Sequence, residues 1–162
     1  MIYTIRERFW SLGGRFDIND EQGAPVFRVV GKTFSLSHKL SFQDLSGVEL
    51  ARIEQQLHAW KQRYKILVDG ERFAELVKEW RWFRRTFSLD VPGAEDYTIR
   101  GSFWAHEFVF ERNGSEVARV SKKAWSLVDH YGVRIEEGEN VIAILCACIA
   151  IDQILGAEQN AA

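Results

Sequence analysis

A chain of 162 residues, 46% hydrophobic and 13% aromatic, is long enough to bury the core of one domain, and it carries no linker or low-complexity tract that would divide it. Its 21 Lys and Arg against 23 Asp and Glu leave a net charge of −2. That balance excludes a general nucleic-acid binder and strong adsorption to anionic membranes, so any basic function has to be local.

The N-terminus, MIYTIRERFW, places charges where a secretory signal would have its apolar stretch, and is therefore expected to belong to a cytoplasmic protein with no targeting segment. From Tyr3 to about Ile135, short runs rich in Phe, Trp, Val, Ile and Tyr alternate with glycine turns at Gly13-Gly14, Gly23, Gly47, Gly70, Gly93 and Gly114. This is the pattern of an antiparallel all-β chain. Turns such as Asp20-Glu21-Gln22-Gly23 and Arg112-Asn113-Gly114 supply the positive φ that tight hairpins need. The segment from Arg72 to Leu89 is read as an unusually long strand, because Trp80, Trp82, Phe83, Phe87 and Leu89 are strand formers, although its first half also suits a helix.

Val141 to Ile151 (VIAILCACIAI) is eleven apolar residues in a row, too short to span a bilayer. A helix that is apolar on every side has to be enclosed by protein. About 15 residues of helix are expected, with Asn140 as its cap, Glu136, Glu137 and Glu139 at or before its positively polarised end, and Gly156 as its stop. Cys146 and Cys148, two apart, point to opposite sides of it. They form neither a local disulfide nor a shared metal site, and read as small buried apolar residues.

The chain also repeats with a period near 70. At an offset of 67, Leu50 to Ile53 matches Val117 to Val120, Tyr64 matches Tyr131, and Ile66 and Val68 fall on Val133 and Ile135. With a small shift, Phe16 to Ile18 matches Phe87 to Leu89 and Gly31 matches Gly101. Two such halves can close into one barrel, which removes exposed sheet edges. Eight strands enclose only their own side chains, so a barrel holding a helix needs more, here about twelve.

The opening Tyr3-Thr4-Ile5-Arg6, the strand and turn Phe16 to Gly23, the strand Val26 to Gly31 and the terminal apolar helix together resemble the tubby C-terminal-like superfamily. Within it they resemble the LURP-one-related, YxjI-like proteins, over nearly the whole chain. The resemblance implies a single domain over residues 1–162, a twelve-stranded antiparallel barrel around a C-terminal helix. It also implies kinship with phosphoinositide-binding tubby domains and phospholipid scramblases.

Chemistry-bearing motifs are sparse. The four histidines, His38, His58, His106 and His130, show no zinc-binding spacing, and no P-loop, dinucleotide fingerprint or nucleophile elbow implies a cofactor or an enzyme. His106-Glu107 and Asp129-His130 are neighbours, which on a strand point to opposite faces and make no dyad. Glu136, Glu137 and Glu139 lack the alternating oxygen ligands of a calcium loop. The strongest binding candidate is the basic aromatic stretch around Trp80, Trp82 and Phe83, in which Lys78, Arg81, Arg84 and Arg85 would grip an anionic phospholipid headgroup while the rings sit at the interface. The same residues also suit a barrel lining with a solvated outer face. Lys122-Lys123 is a weaker patch, and Trp10, Trp60, Trp104 and Trp125 read as core fillers. The expected function is a non-enzymatic binding or scaffold domain, cytoplasmic and peripheral at the membrane, with no transmembrane segment. A small-molecule carrier or enzyme with a site at a barrel mouth, and a protein-interaction module, are the alternatives.

Overall fold

In a computed structural model of the chain, the described residues are 1–6, 14–31, 39–56, 62–81, 84–92, 96–122 and 129–161, with Trp80, Arg81, Arg84, Arg85 and Asn160 described by their backbone alone. Twelve strands run in chain order: β1 Ile2–Arg6, β2 Arg15–Asp20, β3 Pro25–Gly31, β4 Lys39–Gln43, β5 Glu49–Gln55, β6 Arg63–Val68, β7 Glu71–Arg81, β8 Arg84–Asp90, β9 Tyr97–Ser102, β10 Glu107–Arg112, β11 Ser115–Ser121 and β12 His130–Ile135. One helix follows, α1 Val141–Ala161. Each strand pairs antiparallel with the next, and β12 closes on β1 through the register Ile2↔Arg134 to Arg6↔His130. The sheet is a closed barrel.

Alternation explains the closure. Residues two apart on a strand share a face, and the inward positions are apolar and buried around the ring: Phe16 and Ile18, Ala51 and Ile53, Tyr64 and Ile66, Phe87 and Leu89, Ala118 and Val120, Tyr131 and Val133. The repeat read in the sequence maps onto this ring as strands six apart, β2 with β8, β3 with β9, β5 with β11 and β6 with β12, so each half supplies six strands. Inside lies α1, whose residues Ala143 to Ile151 are all fully buried. Its small residues Ala143, Cys146, Ala147, Cys148 and Ala150 keep the rod slim enough for the ring of strands to surround it.

Two expectations are corrected. The long strand over Arg72 to Leu89 is a hairpin, β7 and β8 paired from Glu75↔Asp90 to Arg81↔Arg84, with Trp82 and Phe83 between the strands. Strand propensity alone does not mark a turn in so apolar a run. The helix does not stop at Gly156 but runs on to Ala161, 21 residues and about 31 Å in all. A glycine inside a helix costs only about 1 kcal/mol, and Glu158, beyond it, forms an ion pair with Lys78 of β7 that holds the extra turns to the wall.

The up-and-down order gives the barrel two poles. At the entry pole, where α1 begins, lie the connections β2–β3, β4–β5, β6–β7, β8–β9, β10–β11 and β12–α1. The other six connections join strands at the far pole, where α1 ends.

Candidate functional site

Of the four basic residues singled out in the sequence, the structure separates one from the rest. Ala74, Leu76 and Lys78 alternate along β7 toward the interior, and Lys78 is buried, 7% exposed, with its ammonium bonded to the Glu158 carboxylate. The aliphatic stem packs in the wall while the charge meets a partner on the helix. Arg81, Arg84 and Arg85 stand at the far-pole end of the β7–β8 hairpin, where Arg81 pairs with Arg84 and Trp80 with Arg85. Their side chains lie outside the described residues, as do Trp82, Phe83, Lys123, Trp10, Trp60 and Trp125. Trp104, expected in the core, is 45% exposed on the short 3-10 turn Phe103–Ala105 between β9 and β10.

The most developed polar constellation is one the sequence reading missed. Asp152 on α1 is 2% exposed; its Oδ1 lies 2.8 Å from His106 Nε2, and its Oδ2 accepts a hydrogen bond from the Tyr131 hydroxyl at 2.8 Å. The His106 ring stacks on Tyr131, centroids 4.7 Å apart at 21°. His106 ends the 3-10 turn in the left-handed region, φ 50°, with its N–H donating to the Phe103 carbonyl. This turns its ring toward α1, while Glu107 instead accepts from Ser121 Oγ and the Lys122 N–H. A signal for Asp152 was present: it is the first charge after eleven apolar residues and is followed by Ile154 and Leu155. A carboxylate so placed is buried with the helix, and a buried charge needs partners.

One helical turn earlier sits Cys148. Burial, with the nearby Asp152 carboxylate and Cys146 adding to it, holds its thiol well above the ordinary range, and burial does the same to Cys146. Both stay protonated, and a protonated thiol is a poor nucleophile.

At the entry pole, Asn140 caps α1, its Oδ1 accepting from the Ala143 N–H at 2.9 Å. No acidic residue lies in the first turn of α1. Glu139 instead braces the rim, accepting from the Tyr97 hydroxyl at 2.7 Å and from Arg112 Nη2 at 2.5 Å. Burial first, then Glu139, pushes the Tyr97 phenol up to about 12. Among the described residues, no group of three or more His, Cys, Asp or Glu side chains is placed to hold a metal ion.

Residues 1–152 match the LURP-one-related family. The chain belongs to the LURP-one-related family. It is 30% identical over 151 residues to the uncharacterized protein YxjI of Bacillus subtilis strain 168, covering 93% of this chain and 91% of that one. Its fold is similar to the X-ray structure of an Arabidopsis thaliana protein, with a TM-score of 0.68 and 16% identity over 96% of this chain and 91% of the other. At that identity the likeness concerns the barrel and its helix alone. The LURP-one-related match ends at Asp152, so the Lys78–Glu158 bond belongs to the nine helical residues beyond it. In this LURP-one-related barrel α1 is, by length and composition, apolar enough over Val141–Gln159 to cross a bilayer, yet 72% of that stretch is buried inside the sheet.

Proposed function

We propose that this LURP-one-related domain is a non-enzymatic binding module that docks on anionic phospholipid headgroups through the far-pole end of its β7–β8 hairpin, working in the cytoplasm at the membrane periphery. One observation carries the reading: the strand register sets Arg81 opposite Arg84 at the end of the hairpin, with Arg85 next along β8 and Trp82-Phe83 between them in the sequence. Arg81 and Arg84 share one register position at the hairpin end, and arginine is the residue type whose fork matches phosphate oxygens bidentately. Aromatic residues flanked by arginines also suit the headgroup layer. Lys78, spent on Glu158, belongs to the barrel's internal bonding in this reading and touches no ligand. The Asp152 cluster acts as a clasp between helix and wall, since its carboxylate and the Tyr131 hydroxyl are both closed to solvent.

The test is co-sedimentation with vesicles containing phosphatidylserine or phosphoinositide against pure phosphatidylcholine. Near an anionic surface each basic residue contributes about 1 kcal/mol. The triple change Arg81→Ala, Arg84→Ala, Arg85→Ala is therefore expected to weaken binding roughly 100-fold, and added salt to weaken the unaltered protein. Equal binding by the triple variant sinks the assignment.

A further inference from the structure

A second surface lies apart from that hairpin end. Along the outer face of β8 to β11 runs an open groove of about 1170 Å³. Two features bend the sheet there. Gly101, at φ +144°, brings β9 so close to β10 that a Cβ would stand 2.6 Å from Phe108 Cα, and a bulge at Val117, the extra residue of β11 opposite Phe110 and Glu111, kinks β11 against β10. On the groove floor, Val109 of β10 has Arg100 opposite it on one side and Arg119 on the other.

The lining includes four carboxylates, Glu79, Glu107, Glu111 and Glu116, against those two arginines, an excess of two negative charges. Both arginines already hold carboxylates: Arg100 bonds Glu111, and Arg119 bonds Glu116 through Nε at 2.8 Å. Pairs this exposed contribute little and exchange readily for the charges of a ligand. Trp104, 45% exposed, stands at the far-pole end, and Trp is the ring that best attracts a cation. From Thr98 to Ser102 the groove is five residues long, about 16 Å, room for an extended segment of similar length. The barrel has no free edge on which a partner strand could pair, so recognition here falls to side chains.

From this charge complementarity we propose that the groove over β8 to β11 receives an extended Lys/Arg-rich peptide segment of a partner protein, with Glu111 and Glu116 taking cations at one end and Trp104 at the other. The proposal is independent of the phospholipid reading. It would let one barrel hold an anionic surface at its far pole and a basic protein segment on its flank.

Fluorescence anisotropy with labelled hexalysine and the full chain tests it, with hexaglutamate and a Gly-Ser hexapeptide as controls. We expect hexalysine to bind and the controls not to, with Glu111→Gln/Glu116→Gln weakening binding about tenfold and Trp104→Ala about threefold. Removing equal charge elsewhere, Glu136→Gln/Glu137→Gln, and the triple arginine change at the hairpin should leave hexalysine binding unaltered. Equal weakening by Glu136→Gln/Glu137→Gln would mean generic attraction and overturn the site. So would unchanged binding by the Glu111→Gln/Glu116→Gln variant, preferential binding of hexaglutamate, or a neutral hexasaccharide binding through Trp104 in place of the peptide.

Discussion

The two ends of the helix are held in different ways. At the entry pole the helix cap and the turns find partners nearby in sequence, while Glu139, just ahead of the cap, braces the rim through the more distant Tyr97 and Arg112. Asn140 caps Ala143, Asp20 Oδ1 accepts from the N–H groups of Gln22 and Ala24, and Asp44 Oδ1 accepts from Ser46 Oγ and the Val48 N–H. At the far pole the partners are distant: Asp152 reaches His106 and Tyr131 across 46 and 21 residues, and Lys78 reaches Glu158 across 80. Local bonds shape turns and form as soon as the turn does. Long-range buried bonds exist only once the barrel has closed around α1, so they fix where the helix sits rather than whether it forms.

The comparison is tested most severely at Asp152. Asp152→Ala removes a buried carboxylate and leaves the Tyr131 hydroxyl and His106 Nε2 without it. The expected loss is about 3–5 kcal/mol in urea unfolding. A loss under about 1 kcal/mol would mean that apolar packing alone seats the helix. Next in size are the equivalent glycines of the two halves. Gly101→Ala forces a side chain into a positive φ against the β10 backbone and should cost about 2–3 kcal/mol. Gly31→Ala meets the flexible end of Leu40 at 3.3 Å at an ordinary φ, and should cost less than about 1 kcal/mol. Similar losses at both positions would show that the halves are bent alike and that the groove does not depend on Gly101.

The sequence was legible where its information is local or periodic. The two-residue alternation of Phe16-Ile18, Tyr64-Ile66 and Tyr131-Val133, the turn glycines, the Asn140 cap and the enclosed helix all follow from neighbours a few positions apart, and the offset of 67 between Tyr64 and Tyr131 foretold the six-strand halves. What stayed hidden depends on distant chemistry. Nothing near Lys78 indicates that its partner is Glu158, and nothing near Gly156 indicates that the same bond carries the helix past it. The bulk of Trp104 points to the core, whereas the 3-10 turn that ends at His106 exposes it. Propensity also could not divide β7 from β8, since no glycine, proline or asparagine marks the connection at Trp82-Phe83.

Alkaline pH probes buried phenols toward both poles at once. Burial raises the Tyr64 phenol, and burial with Glu139 raises that of Tyr97 to about 12. The folded state therefore holds these protons more tightly than the unfolded chain, whose tyrosines titrate near 10. The stabilisation is fully present below pH 10 and is lost as pH rises through the raised values. Unfolding free energy should fall steadily from pH 10 to 12, and Tyr97→Phe should flatten the slope. A flat profile in the unaltered protein would contradict the burial of both hydroxyls.

The smallest effect is expected at the entry-pole cap. Asn140→Ala deprives the Ala143 N–H of its acceptor and should cost about 1 kcal/mol, the usual worth of a helix cap. Asn140 and Asp152 are twelve residues apart on one rod, about 18 Å at 1.5 Å per residue, and share no bonding partner. Sites so separated add within about 0.5 kcal/mol. The double variant Asn140→Ala/Asp152→Ala should therefore lose the sum of the single losses. A shortfall beyond that margin in urea unfolding would show that releasing one end already frees the other, because the helix slides as a unit within the barrel. Additivity would show that each pole holds its own end, the local bonds forming the helix and the distant ones seating it.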